Sequence, residues 1–224
     1  MATKGSSSYQ ASAFPATVLA HVSAAAIVTL VLVWLLHFRE GLAFKSDNKA
    51  KIFNLHPLLM VLGFVLISGE GIIAYKTIPA IRETQKLFHL LLHLTALVSG
   101  IIGIYAVFRF HYLKGIPDMY SLHSWLGMST ICLFAIQWVF SLFTFWYPRA
   151  QASTRARLAP WHTVLGTVIF VMAILSAETG LVEKFFFLGL RRSQEALIIN
   201  FVGLLIFLFG VFVGLSVVLP RSSY

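Results

Sequence analysis

Four histidines, His56, His89, His123 and His162, stand at the starts of four successive apolar runs. Imidazole can hold a metal, relay a proton or, as a strong axial ligand, grip haem iron. The spacing decides which partners meet. His56 and His123 open the second and fourth runs; His89 and His162 open the third and fifth. If the runs are antiparallel helices, the first two histidines share one membrane face and the other two share the opposite face. Two imidazoles from facing helices can fill both axial positions of one haem in a bundle core. Two such pairs, stacked along the membrane normal, would form an electron path. Iron with both axial positions filled favours electron transfer over oxygen chemistry. Zinc prefers three or four protein ligands, and each face offers a pair. His93, one turn after His89 on the same helix face, could complete a triad or hydrogen-bond a bound group. A histidine at a helix end can also sit among lipid headgroups with no ligand at all.

The elements that must carry these residues are plain from composition. Of 224 residues, 58% are hydrophobic and only 11% are charged, against about 25% charged in a soluble domain. A chain this short cannot hide that much apolar surface in one water-soluble core. Spanning the bilayer takes about 20 apolar residues. Six segments qualify, at 15–38, 56–75, 88–110, 123–146, 161–182 and 195–219. Backbone in lipid must satisfy its own hydrogen bonds, so each becomes a helix. The expected fold is therefore an all-α membrane protein with six transmembrane helices. One domain covers 15–219, with mobile tails at 1–14 and 220–224. The first run is too long for a signal-peptide core and reads as a retained anchor.

Helix starts are expected at Asn54 with Pro57, at Ser121 and at Pro160, since Ser or Asn caps and first-turn prolines mark N-termini. Trp34, Trp125, Trp161 and Tyr147 near span ends suit an aromatic belt. Gly63, Gly100, Gly127 and Gly166 would leave room for a ring beside the ligands. The net charge of +9 is spread over short loops, which fits a lipid surface and not nucleic acid. The 17 Lys and Arg divide about evenly between the two faces, so the positive-inside rule gives no orientation. Cys132 is the lone cysteine, so there is no intrachain disulfide and no motif for covalent haem attachment.

Arg82 and Lys86 precede His89, and Arg155 and Arg157 precede His162. These cations could hold an anionic substrate or a propionate, or simply meet water and lipid phosphate. Phe110, His111, Tyr120 and Trp125 surround the start of the fourth run on the other face; such a stripe is commonly an interface belt. Glu70 and Glu178 fall inside spans, where carboxylates are costly and often functional; neither receives a role. His21 and His37 in the first run are read as structural. Two rival classes stay open on the residues alone. One is a histidine-containing transporter or proton channel without haem; the other is a metalloenzyme using His89, His93 and His162.

The stretches Phe53-Asn54-Leu55-His56-Pro57, Lys86-Leu87-Phe88-His89, Tyr120-Ser121-Leu122-His123-Ser124-Trp125 and Pro160-Trp161-His162 resemble the cytochrome b561 family, from about Phe38 to about Leu219. Ser46-Asp47-Asn48-Lys49 and Trp146-Tyr147-Pro148 resemble its plant branch. The resemblance implies a four-helix bundle of helices 2–5 around two non-covalent, bis-histidine b haems. Their axial ligands would be the pairs His56/His123 and His89/His162. It implies an ascorbate-dependent transmembrane oxidoreductase that passes electrons from cytosolic ascorbate to monodehydroascorbate or a ferric chelate. Arg82, Lys86 and Arg155 match the family's ascorbate-binding cluster; the proton that leaves as ascorbate is oxidised would go to Lys86 or to water. Phe110, His111, Tyr120 and Trp125 match its acceptor site, with His111 catalytic. It further implies cytosolic termini, a homodimer, and a tonoplast or other endomembrane location. Ile72-Ile73-Ala74-Tyr75-Lys76 departs from the family's tyrosine-plus-basic motif by its weaker basic character, and His93 is not universal in the plant branch.

Overall fold

The computed structural model describes residues 12–220, and the expected tails lie outside these residues except for 12–14 and 220. Six helices long and apolar enough to cross a membrane follow one another: α1 Ala13–Phe38, α2 Lys49–Thr77, α3 Arg82–Lys114, α4 Leu122–Trp146, α5 Ala152–Phe187 and α6 Gln194–Val218. All regular structure among the described residues is helical. The chain is an integral multi-pass membrane protein.

Helix α1 already begins at Ala13, because the Ser12 hydroxyl accepts from the Phe14 amide at 3.2 Å. Ser121 caps α4 as expected, accepting from the Ser124 amide at 3.2 Å. Two other expected starts are corrected. Helix α2 begins at Lys49, capped by Asn48, and α5 begins at Ala152. Pro57 and Pro160 therefore lie inside helices. The residues before them are polar enough to prolong a helix beyond the hydrocarbon layer, where water can serve any unpaired group. Asn54 is not a cap: its amide donates to the Arg39 and Gly41 carbonyls, both at 2.8 Å, and ties α2 to the end of α1. A proline inside a helix removes one amide donor and crowds the preceding turn. After Pro57 the helix widens into a π-helical stretch, Leu59–Leu66. Gly115 and Gly189 end α3 and α5 with positive φ of 64° and 59°, which a residue with a Cβ rarely adopts.

Contacts run from α2 to α3, α3 to α4, α4 to α5 and α5 back to α2, closing the middle four helices into a ring. Helix α1 lies along α6, and α6 packs on α5 and α2. Most buried apolar side chains gather at the α1–α6–α2 side, including Ile27, Val31, Ile206 and Phe209. Elsewhere large apolar residues such as Ile101, Val164 and Phe201 face outward, as lipid requires. Trp34 departs from the belt expectation. It is 1% exposed, and its indole donates to Glu195 Oε1 at 2.9 Å. Glu195 also takes Arg39 through its other oxygen, so one buried carboxylate joins α6 to the end of α1. Trp125, Trp161 and Tyr147 are exposed as the belt demands.

Gly69 on α2 lets Phe209 of α6 approach so closely that a Cβ there would lie 2.5 Å from the ring. Gly69→Ala should therefore cost about 1–3 kcal/mol by overpacking. Adding Phe209→Leu should recover part of that loss. Thermal unfolding of the four proteins of this cycle in detergent measures it; additive losses would show that the two residues do not press on each other.

Candidate functional site

Two cavities open inside the ring of α2–α5. The first has a volume of about 440 Å³ and is lined by His89, His93 and His162 with Tyr75, Arg82 and Lys86. The second, of about 500 Å³, is lined by His56 and His123 with Phe110, His111, Tyr120 and Lys184. His89 lies near the start of α3 and Gly103 near its end, 14 residues apart, or about 21 Å along a helix. The cavities thus sit near opposite faces of the membrane.

His56, His89, His123 and His162 are each held by a bond from Nδ1 to the neighbouring helix. His56 of α2 meets the Gly103 carbonyl of α3 at 3.0 Å, and His89 of α3 meets the Gly71 carbonyl of α2 at 2.8 Å. His123 of α4 meets the Ser176 carbonyl of α5 at 2.9 Å, and His162 of α5 meets the Ser141 hydroxyl of α4 at 2.9 Å. The arrangement is reciprocal. Within α2/α3 and within α4/α5, each helix presents a histidine at one end and holds its neighbour's histidine at the other. A carbonyl only accepts, so in three of the four cases Nδ1 carries the proton. The lone pair then lies on Nε2, the tautomer a metal ligand requires.

The ring centres of His56 and His123 are 6.1 Å apart, and those of His89 and His162 are 6.0 Å apart. An ion gripped between two imidazole nitrogens at about 2 Å each separates the ring centres by about 6 Å. Both pairs therefore fit a bis-imidazole metal centre, and the apolar walls beside them fit a large flat macrocycle. Glycines make the space. A Cβ at Gly180 would lie 2.6 Å from His123, and one at Gly71 would lie 3.0 Å from His93. Of the four glycines expected to give room, Gly127 and Gly166 do line the cavities. Gly63 and Gly100 instead admit Ser99 and Ile131 in helix packing.

The surrounding residues divide as follows. Arg82 stacks on the Tyr75 ring at 4.5 Å, and Tyr75 in turn lies 5.3 Å from the His89 ring. Lys86 bonds Glu83 at 3.1 Å, and Arg149 reaches the same carboxylate at 3.5 Å. Arg155 is on the same face, but its guanidinium turns to the Ala150 carbonyl and does not line the cavity. At the second cavity His111 bonds Asp118 at 2.7 Å. Trp125 lies off that cavity, 62% exposed, with its indole on the Met119 carbonyl. His93 packs edge-on against His89 with ring centres 4.4 Å apart. Among the described residues no group of three or more His, Cys, Asp or Glu is placed to hold a metal ion, so His89, His93 and His162 do not make a triad. Glu70 pairs with His21 at 2.9 Å, His37 packs on Phe38, and Glu178 keeps one buried oxygen unbonded among the described residues.

Sequence reasoning missed Gly71, Gly103, Ser141 and Ser176 as the groups that aim the imidazoles. A signal existed: Gly103 follows His89 by 14 residues, and Ser176 follows His162 by the same step. It also missed Tyr75 as the support for Arg82, and Asp118.

The sequence is similar to those of known proteins. The family model described as eukaryotic cytochrome b561 matches residues 55–188. The chain is 47% identical over 213 residues to the rice "Probable ascorbate-specific transmembrane electron transporter 1", covering 93% of this chain and 91% of the relative. It is 45% identical over 215 residues to the Arabidopsis thaliana "Transmembrane ascorbate ferrireductase 2", covering 94% of each. A Xenopus laevis "Plasma membrane ascorbate-dependent reductase" is 41% identical over 86% of this chain and 70% of its own length. With the family model spanning more than half of its length and these relatives nearly all of it, the chain belongs to the eukaryotic cytochrome b561 family.

Proposed function

We propose that this protein carries electrons across a membrane from ascorbate to monodehydroascorbate or a ferric chelate, with one b haem at each cavity. Family membership brings haem b binding, and the relatives' names supply ascorbate as donor and a ferric acceptor. The observation that carries the two-haem reading is the reciprocal set of Nδ1 bonds, which leaves two imidazole pairs 6.0 and 6.1 Å apart at opposite faces. His89 with His162, and His56 with His123, would be the axial ligands. When bound, the two haems supply one-electron carriers at two depths in the bilayer.

The chain's own residues bind, orient and manage protons. At the first cavity Arg82 and Lys86 present positive charge to the ascorbate anion, with Tyr75 fixing the guanidinium plane. Ascorbate gives up one electron and one proton there, and Lys86, with Glu83 beside it, is the proton's route to water. Arg155 would shape this site through the loop it bonds. At the second cavity His111, oriented by Asp118, would serve the acceptor with Phe110 and Tyr120. Trp125 would form the rim of that entrance from its exposed position. The family resemblance supports cytosolic termini, which puts the His89/His162 cavity on the cytosolic side. It also supports a homodimer and a tonoplast or other endomembrane location.

Vesicles of the purified protein test the reading. Ascorbate sealed on the face bearing Arg82 and Lys86 should reduce the haem spectrum and then ferric citrate on the other face. A colourless protein, or one that moves ions without moving electrons, would support the transporter reading instead. Arg82→Gln with Lys86→Gln should raise the ascorbate concentration for half-maximal rate by about tenfold or more, since each change removes a charge-assisted contact. Reduction by dithionite should be unaffected. An unchanged ascorbate dependence would remove both residues from the donor site.

A further inference from the structure

The second cavity holds a cation that neither the ligand pairs nor the acceptor residues account for. Lys184 lies in the last turn of α5, one turn beyond Gly180, whose missing side chain makes room for His123. Its ammonium sits 3.8 Å from the centre of the Phe53 ring on α2. Phe53 is itself braced edge-on by Phe110 of α3, with ring centres 5.1 Å apart. Lys184 is thus fixed across three helices on the wall that also carries His56 and His123.

Glu195 acts on the charge of Lys184 through space, but among the described residues no carboxylate is bonded to its ammonium. No ion pair includes Lys184 among the described residues. Glu183 also lines the cavity but makes no bond to it. Glu195 is fully committed: Trp34 donates to one oxygen and Arg39 to the other. Lys184 is the one Lys or Arg on this cavity's described wall. An ammonium held half-buried against an aromatic face is stabilised by the ring quadrupole, yet it keeps its donors for an incoming anion. Three cations, Lys76, Arg82 and Lys86, line the first cavity; Lys184 alone lines the second.

We infer that Lys184 is the anion-holding residue of the second cavity, taking a carboxylate of a group bound beside His56 and His123. This rests on the two-haem reading above. The carboxylate has two possible owners, a haem propionate or an anionic acceptor such as a ferric carboxylate chelate. In either case Lys184 positions the group and undergoes no chemistry itself.

The test compares the purified haem-loaded protein with Lys184→Met and Lys184→Arg. Two quantities are read: the rate at which haem passes to apomyoglobin, and the rates at which the dithionite-reduced protein is reoxidised by ferric citrate and by the ferrocenium cation. If the partner is a propionate, Lys184→Met releases one haem about tenfold faster. If it is the acceptor, both haems stay and ferric citrate slows about tenfold relative to ferrocenium. In both cases Lys184→Arg restores most of the wild-type behaviour. Wild-type haem release together with an unchanged ratio of the two reoxidation rates in Lys184→Met overturns the inference. Lys184→Gln gives the same reading should the methionine variant fail to accumulate. Failure of the wild-type protein to take electrons from ascorbate would count against the broader function, while haem release would still report on Lys184.

Discussion

The bond from a histidine Nδ1 to an oxygen on the neighbouring helix is the interaction on which the site depends. It sets the tautomer, aims Nε2 into the cavity and fixes the ring plane. In a lipid-embedded bundle the acceptor is hard to supply, because helical carbonyls are already used four residues on. Gly71, Gly103 and Ser176 each lend a second lone pair of such a carbonyl. Small side chains on the accepting helices allow that approach. His162 differs, since its partner is the Ser141 hydroxyl. Reciprocity follows from topology: antiparallel α2 and α3 each carry a histidine near one end and an acceptor near the other, and α4 and α5 repeat the scheme.

The helices outside the ring serve this geometry indirectly. Helix α1 is joined to α6 by Trp34 and Arg39 on Glu195, and to α2 by Asn54 on the Arg39 and Gly41 carbonyls. Thr17 and Ser216 share a buried hydrogen bond of 2.8 Å farther along the same pair. Lys76 at the end of α2 caps the Leu219 carbonyl after α6. These polar ties fix helix depth, which apolar packing in lipid constrains weakly because lipid tails compete on equal terms. Depth matters here, since sliding α2 against α3 by one turn would break the bonds of both His56 and His89.

Much of this was legible in the sequence, for physical reasons. Hydropathy gives six spans because the bilayer sets their length, and antiparallel order pairs His56 with His123 and His89 with His162. Boundaries were less legible. Pro57 and Pro160 read as helix starts by local rules, yet α2 and α5 continue upstream because polar residues can extend a helix into the headgroup region. Trp34 near a span end reads as a belt residue, and only the position of Glu195, 161 residues away, shows why it is buried. The accepting carbonyls carry no side-chain chemistry, so composition could not single them out. Arg155 and Trp125 matched a motif by position, but the directions of their side chains take them off the cavity walls. The sharing of one face by Lys184 and Phe53 depends on the register of α5 against α2, which spacing along one helix does not reveal.

Haem stoichiometry in paired histidine variants tests the central claim most directly. Wild-type protein should hold two b haems per chain. Replacing His89 and His162 together by alanine should leave one, as should replacing His56 and His123, and the two remaining haems should differ in midpoint potential. Two haems retained in either double variant would contradict the assignment of the ligands, and a wild-type content of one would contradict the two-site architecture.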